Sequence, residues 1–262
     1  MSRYSRIRSE AKAGWHSFLR RRTAVFFTFF FPVILVVIFG ALVETQQADG
    51  GLFGEPSGGL FAEPAAYYIA AYLATVVIFT PLSRIGSEIA RYREHNRFEK
   101  LATTPLSRGE WLLAHTIVNT VIISAAGALI LGLVLVLTDA SVPLSVELLA
   151  VVPLTVFGVV LFCGFGAVLG RLADSQDGVI AASNAIALPL LFLSDTFIPL
   201  ELLPDWFVPL VDLSPLSYFA RGVRSVTYPA AADPLVGPTI VLFVLAIAFF
   251  VAGALSIPTT ES

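Results

Sequence analysis

Lysine is nearly missing from this sequence: 262 residues hold two, Lys12 and Lys100, against fourteen arginines. Neither sits in a G-x-x-x-x-G-K-[ST] loop, since Ala11 and Glu99 precede them, so the chain carries no phosphate-binding loop of that kind. Cysteine is rarer still. The lone thiol, Cys163, excludes an internal disulfide and a cysteine-based metal cluster, and its neighbours Leu161, Phe162 and Phe165 place it in apolar surroundings. Histidine occurs at 16, 95 and 115, three unrelated settings that offer no ligand set for a metal. Charge is scarce overall, 13% of residues against 56% hydrophobic, with a mean hydropathy of +0.83. That balance excludes a soluble domain and describes a polytopic, all-α membrane protein.

Charge is scarcest inside the apolar runs. Six stretches are long enough to span: Thr23–Val43, Ala65–Leu82, Leu112–Leu137, Leu148–Gly170, Gly178–Leu193 and Leu235–Ile257. They contain no Asp, Glu, Lys or Arg, and their polar residues include Thr75, Asn119, Ser183, Asn184 and, at an edge, His115. A carrier driven by protons or sodium ions keeps an ionisable group near the midplane, so ion coupling is disfavoured and energy must come from outside the chain. No Ser/His/Asp set or carboxylate pair lies at membrane depth either, and Asp174 with Asp177 reads as a solvated turn.

The N-terminal segment, residues 1–22, reads as an amphipathic helix lying in the membrane interface ahead of a permease-sized unit, residues 23–262. Tyr4, Ile7, Ala11, Trp15 and Phe18 recur at steps of three and four, with Arg6, Lys12 and Arg20 to Arg22 off that stripe. Glu44 to Pro64, acidic and rich in Gly-Gly pairs, reads as a loop. Residues 194–234 are half apolar but broken by Pro199, Pro204, Pro209 and Pro215, a pattern that fits short re-entrant helices before the last span. With the N-terminus inside, the inner segments carry fourteen Lys/Arg and the outer ones two, Arg221 and Arg224. The positive-inside rule therefore sets both termini in the cytoplasm.

The one long charged insert covers residues 84–110, with six Lys/Arg and four Glu. A central charge costs about 2.5–3.5 kcal/mol in hydrocarbon, so the insert belongs in water or at the surface. Phe98 and Leu101 can share one face of a short helix, which Thr103-Thr104-Pro105 ends. Ser107 with Glu110 has capping-box spacing and starts the next helix. A plain cytoplasmic loop and a docking helix for a soluble partner both fit this pattern.

Two places in the chain resemble a known family. One is Arg93-Glu94, Phe98-Glu99, Leu101, Thr104-Pro105-Leu106-Ser107-Arg108 and Glu110; the other is Leu193-Ser194, Phe197, Pro199, Leu203-Pro204, Trp206, Pro215-Leu216 and Arg224. The sequence is similar there to the membrane subunits of type-2 ABC exporters, the daunorubicin-resistance and polysaccharide-export permeases. It departs from them at Asn96-Arg97, often Gly-Thr in the family, and at Asp195, often Gly. The resemblance implies a homodimeric permease paired with a cytoplasmic ABC ATPase subunit that holds the ATP-Mg, and no cofactor or nucleic acid bound by this chain. It implies that Arg93, Glu94, Phe98, Glu99, Leu101 and Pro105 meet the ATPase, with Phe98 and Leu101 filling a groove on it. It also implies that Phe197, Pro199, Pro204 and Trp206 form an outer gate, in a multi-pass protein of the plasma membrane. An unpartnered membrane enzyme or a membrane scaffold is the competing class.

Overall fold

A computed structural model describes residues 3–49, 63–138, 140–231 and 233–258. Among the described residues ten α-helices follow one another: α1 (Arg3–Arg20), α2 (Arg22–Asp49), α3 (Ile69–Glu94), α4 (Arg97–Ala102), α5 (Arg108–Leu137), α6 (Val151–Leu172), α7 (Gln176–Phe192), α8 (Val208–Leu213), α9 (Pro215–Thr227) and α10 (Val236–Ser256). Single 3-10 turns sit at Val146–Ala150, Leu200–Leu202 and Pro229–Ala231, and the described residues contain no strand. Five helical segments, Arg22–Val43, Ile69–Glu94, Arg108–Leu137, Val146–Leu172 and Val236–Ser256, are long and apolar enough to cross a bilayer. The sixth apolar helix, α7, has 17 residues. At about 1.5 Å per residue it reaches about 26 Å, just under a hydrocarbon core of about 30 Å. The chain is thus an all-α membrane protein with five full-length candidate spans and one short one.

Two boundaries differ from the sequence reading. The second span does not stop at Leu82. Its helix runs on to Glu94 and carries Arg84, Glu88, Arg91 and Arg93 within it. The reason is the buried stripe of Ile85, Gly86, Ile89 and Ala90, which keeps one face of the helix in the core while the charged residues take the others. The loop expected from Glu44 begins later as well, because α2 continues to Asp49; residues 50–62 of that loop lie outside the described residues.

The bundle is organised on α3 and α6. In the apolar window of α3, 78% of residues are buried, against 17% in those of α2 and α10. The α3–α6 crossing is made by glycines. A Cβ on Gly166 would lie 2.5 Å from the Leu82 carbonyl oxygen, and one on Gly170 would run into the Gly86 carbonyl. A Cβ on Gly86 would lie 2.6 Å from Val179 Cγ1 on α7. The G-x-x-x-G pair of α6 therefore brings two backbones together, with α7 alongside. Gly164 does the same on another face of α6, against the Phe249 carbonyl of α10, and Gly253 returns the contact.

Gly170→Leu is expected to abolish folded protein, because the atoms in the way are backbone and cannot rotate aside. Overpacking commonly costs about 1–3 kcal/mol where side chains can yield, and more where they cannot. Gly132→Leu is the matched control, since nothing lies within 4 Å of its Cβ position. Size-exclusion profiles of the two variants in mild detergent check the difference; equal monodisperse peaks would contradict it.

Candidate functional site

The charged insert forms a folded platform rather than a free loop. At the end of α3 the chain turns through Asn96, whose φ of 51° makes it the non-glycine residue with a left-handed backbone among the described residues. Asparagine tolerates that region better than most residues that carry a Cβ. The helix α4 follows immediately. Phe98 is 3% exposed and packs on the chain's own rings, 5.3 Å from Tyr92 and 6.1 Å from Trp111, while Tyr92 and Trp111 lie 5.5 Å apart. Leu101 is half-buried against the same core. Phe98, which the resemblance assigns to a groove on the ATPase, is buried on the chain's own rings and seats α4. The exposed face presents Arg97, Glu99 and Lys100, continued by Thr103, Thr104 and Pro105.

Arg93 and Glu94 are tied within the chain. The guanidinium of Arg93 donates from Nη1 to the carbonyl oxygens of Gly170, Arg171 and Ala173 at 3.3, 3.0 and 2.8 Å. These carbonyls close the C-terminal end of α6, where helix geometry leaves acceptors without partners. Glu94 accepts from the backbone N–H and the side-chain amide of Gln176, both at 3.1 Å, at the start of α7. Adjacent residues thus hold the two sides of the α6–α7 turn. Sequence reading missed this clamp, since nothing local in residues 93–94 points to partners 77 or more positions away.

At the other end of the platform, Ser107 and Glu110 form the expected capping box: Ser107 accepts from the Glu110 N–H at 3.2 Å and Glu110 accepts from the Ser107 N–H at 2.9 Å. Glu110 also accepts from Arg6 of α1, 2.7 Å from Nη2 and 3.3 Å from Nε. Further along, His115 Nε2 lies 3.3 Å from Glu10. The amphipathic helix α1 is thereby fastened along α5, with Phe18 buried against Val118 and Ile122. Tyr4 departs from the expected apolar stripe and stands 75% exposed.

On the opposite side of the bundle, residues 194–234 close around one carboxylate. Asp195 is 1% exposed, and its Oδ2 accepts from Arg221 Nε at 2.7 Å and Arg224 Nη2 at 2.8 Å. Its backbone carbonyl accepts from Arg224 Nη1 at 2.6 Å and from the Tyr67 hydroxyl at 3.3 Å. Arg221 reaches on to Asp212 at 2.9 Å and Arg224 to Asp233 at 2.7 Å, with the Arg224 guanidinium 4.7 Å from the Tyr67 ring centre. Burial works against the Arg224 charge, but Asp195, Tyr67 and Asp233 more than offset it and raise its pKa. The two arginines that break the positive-inside pattern are thus neutralised by three acids, and Asp195 is the hub rather than a stray surface charge. Of the four gate residues, Phe197 packs 5.2 Å from Phe39 of α2 and Pro199 is buried, whereas Pro204 and Trp206 are exposed.

Among the described residues, no group of three or more His, Cys, Asp and Glu could hold a metal. Residues 6–228 match the family model described as ABC-2 type transporter, which takes in the platform, the clamp and the buried ion cluster apart from Asp233. No curated protein matches the sequence.

Proposed function

The chain belongs to the ABC-2 type transporter family, and from that premise we propose that it is the permease subunit of an ATP-driven exporter. A transport permease component has no ATPase site of its own. A cytoplasmic ATP-hydrolysing subunit supplies the energy and holds the ATP-Mg, and a second copy of the permease completes a homodimeric pathway. The cargo moves outward and is a hydrophobic drug, a lipid or a glycan-type molecule. In this reading the apolar helices make six spans in residues 23–262, with α1 in the interface, the segment before α10 re-entrant, both termini cytoplasmic and the whole in the plasma membrane.

The observation that carries the reading is the platform itself. A six-residue helix, with a charged outer face and a buried aromatic on its inner face, sits on the rigid end of the most buried helix of the bundle. Isolated helices that short do not hold in water, so burial of Phe98 is what gives a partner a fixed surface. Glu99, Lys100, Arg97 and Pro105 meet the ATPase subunit; Phe98 and Leu101 hold their position from within; Arg93 and Glu94 pass motion to α6 and α7. Phe197 and Pro199 move with the outer ends of these helices, with Pro204 and Trp206 at the rim.

Purification of the tagged chain in mild detergent from its own cells is expected to bring an ATP-hydrolysing subunit with it in equal amount. The pair of reversals Glu99→Arg and Lys100→Glu should cut that recovery at least tenfold with membrane insertion unchanged. A chain that purifies alone and without nucleotide hydrolysis would return the reading to an unpartnered membrane enzyme or scaffold.

A further inference from the structure

A groove runs up the bundle between α2, α3 and α7. Its lower part is a cavity of about 830 Å³ that reaches Arg21, Ser83, Arg84, Glu88 and Asn184. Its upper part is a slot of about 280 Å³ lined by Leu35, Phe39, Leu188 and Phe197, and the two parts share Phe31 and Phe79. Thr75 is the polar lining residue of the slot, and its hydroxyl is donated to the Ala71 carbonyl within the same helix. The side walls are open toward lipid: Phe27 is 58%, Phe31 44% and Phe192 61% exposed.

The charge in this groove is lopsided. Glu88 is engaged by Arg91 and, at 3.8 Å, by Arg21. His115, which also faces the cavity, is held by Glu10. Arg84 has no carboxylate within ion-pair distance among the described residues; it donates to Asn119 Oδ1 at 3.3 Å and lies 4.8 Å from the Phe18 ring centre. An arginine on a membrane-spanning helix, facing a cavity and sharing Glu88, the acid one turn along, with Arg21 and Arg91, leaves the cavity with positive charge in excess and marks a site for an anion.

We propose that this groove binds an anionic amphiphile with one apolar tail, taken from the cytoplasmic leaflet. Arg84 and Arg21 hold the anionic head, and the aromatic slot holds the tail. The depth fits: from Arg84 to Thr75 is nine residues of α3, about 14 Å at about 1.5 Å per residue, close to half a hydrocarbon core of about 30 Å. The lining fits as well, because the slot is apolar but for Thr75 and suits a hydrocarbon tail. The proposal rests on the permease reading for its orientation and names the cargo class at that site.

The test is equilibrium binding of labelled dodecyl phosphate to the full chain in phosphatidylcholine nanodiscs, with empty discs subtracted. Saturable binding is expected, weakened tenfold or more by Arg84→Gln and by less than threefold in Arg84→Lys. Leu188→Trp, at a half-exposed position in the slot, should weaken it tenfold without touching the charge, which keeps the test decisive if Arg84→Gln does not fold. Dodecyltrimethylammonium and inorganic phosphate should fail to compete. Equal binding by wild type, Arg84→Gln and Leu188→Trp would overturn the site. Displacement by inorganic phosphate alone would overturn the amphiphile and leave a simple anion site. Absence of binding in a chain that still co-purifies its ATPase would remove the cargo class and leave the permease reading standing.

Discussion

Asp195→Ala is expected to cost about 3–5 kcal/mol of stability, the range for breaking a buried ion pair by removing one partner. The expectation follows from what remains behind. Arg224 would stay 2% exposed with one acid, Asp233, where it had two. Arg221 would keep Asp212, which is 53% exposed and well screened. The Tyr67 hydroxyl and the Arg224 Nη1 bond to the Asp195 backbone carbonyl and would survive the substitution, so the loss isolates the carboxylate. A double change, Asp195→Leu with Arg224→Met, removes charge on both sides and should recover most of the loss, because buried ion pairs exchange for apolar groups at small net cost. Thermal unfolding in detergent reads both. If the double variant is as unstable as the sum of its parts, the cluster is not held by charge pairing and the assignment falls.

Arg93→Ala with Glu94→Ala is expected to leave the ATPase subunit bound and cut transport at least tenfold. The exposed face of α4 would be unchanged, since Phe98 still packs against Tyr92 and Trp111. What would be lost is the hold on the Gly170, Arg171 and Ala173 carbonyls and on Gln176. A push delivered to α4 would then move the end of α3 without drawing the α6–α7 turn along. Phe98→Ala is the contrasting variant: it empties the aromatic seat and should lower recovery of the ATPase as well as transport. Measuring co-purification and substrate-stimulated ATP hydrolysis in the same preparations separates the two. Normal transport in the Arg93/Glu94 variant would show that motion reaches α7 by another route.

The sequence by itself determined the membrane character, the order of apolar helices, the position of the charged insert, the capping box at Ser107–Glu110 and the family. These rest on composition and on contacts between near neighbours in the chain, which a hydrophobic run or an i,i+3 spacing encodes directly. The end of α3 was not legible, because Arg84 to Arg93 look like a loop until Ile85 and Ile89 are seen buried and Gly86 packed on α6 and α7. Phe98 illustrates the same limit. Its spacing from Leu101 gives a shared face but not which side of α4 that face is on, and the fold turned it inward onto Trp111.

Tertiary structure alone decided the rest. Gly166 and Gly170 are a commonplace pair in a sequence, and become a backbone contact only when α3 lies across them. Asp195 stood in the sequence only as a departure from the resembled family, until α9 brought Arg221 and Arg224 to it from 26 and 29 residues away. Arg84 read as part of a soluble insert until α3 carried it into the bundle, beside a cavity and bonded to Asn119. In each case the deciding quantity is which groups lose water together. Local spacing does not fix that, because it depends on which distant helices meet and on which faces.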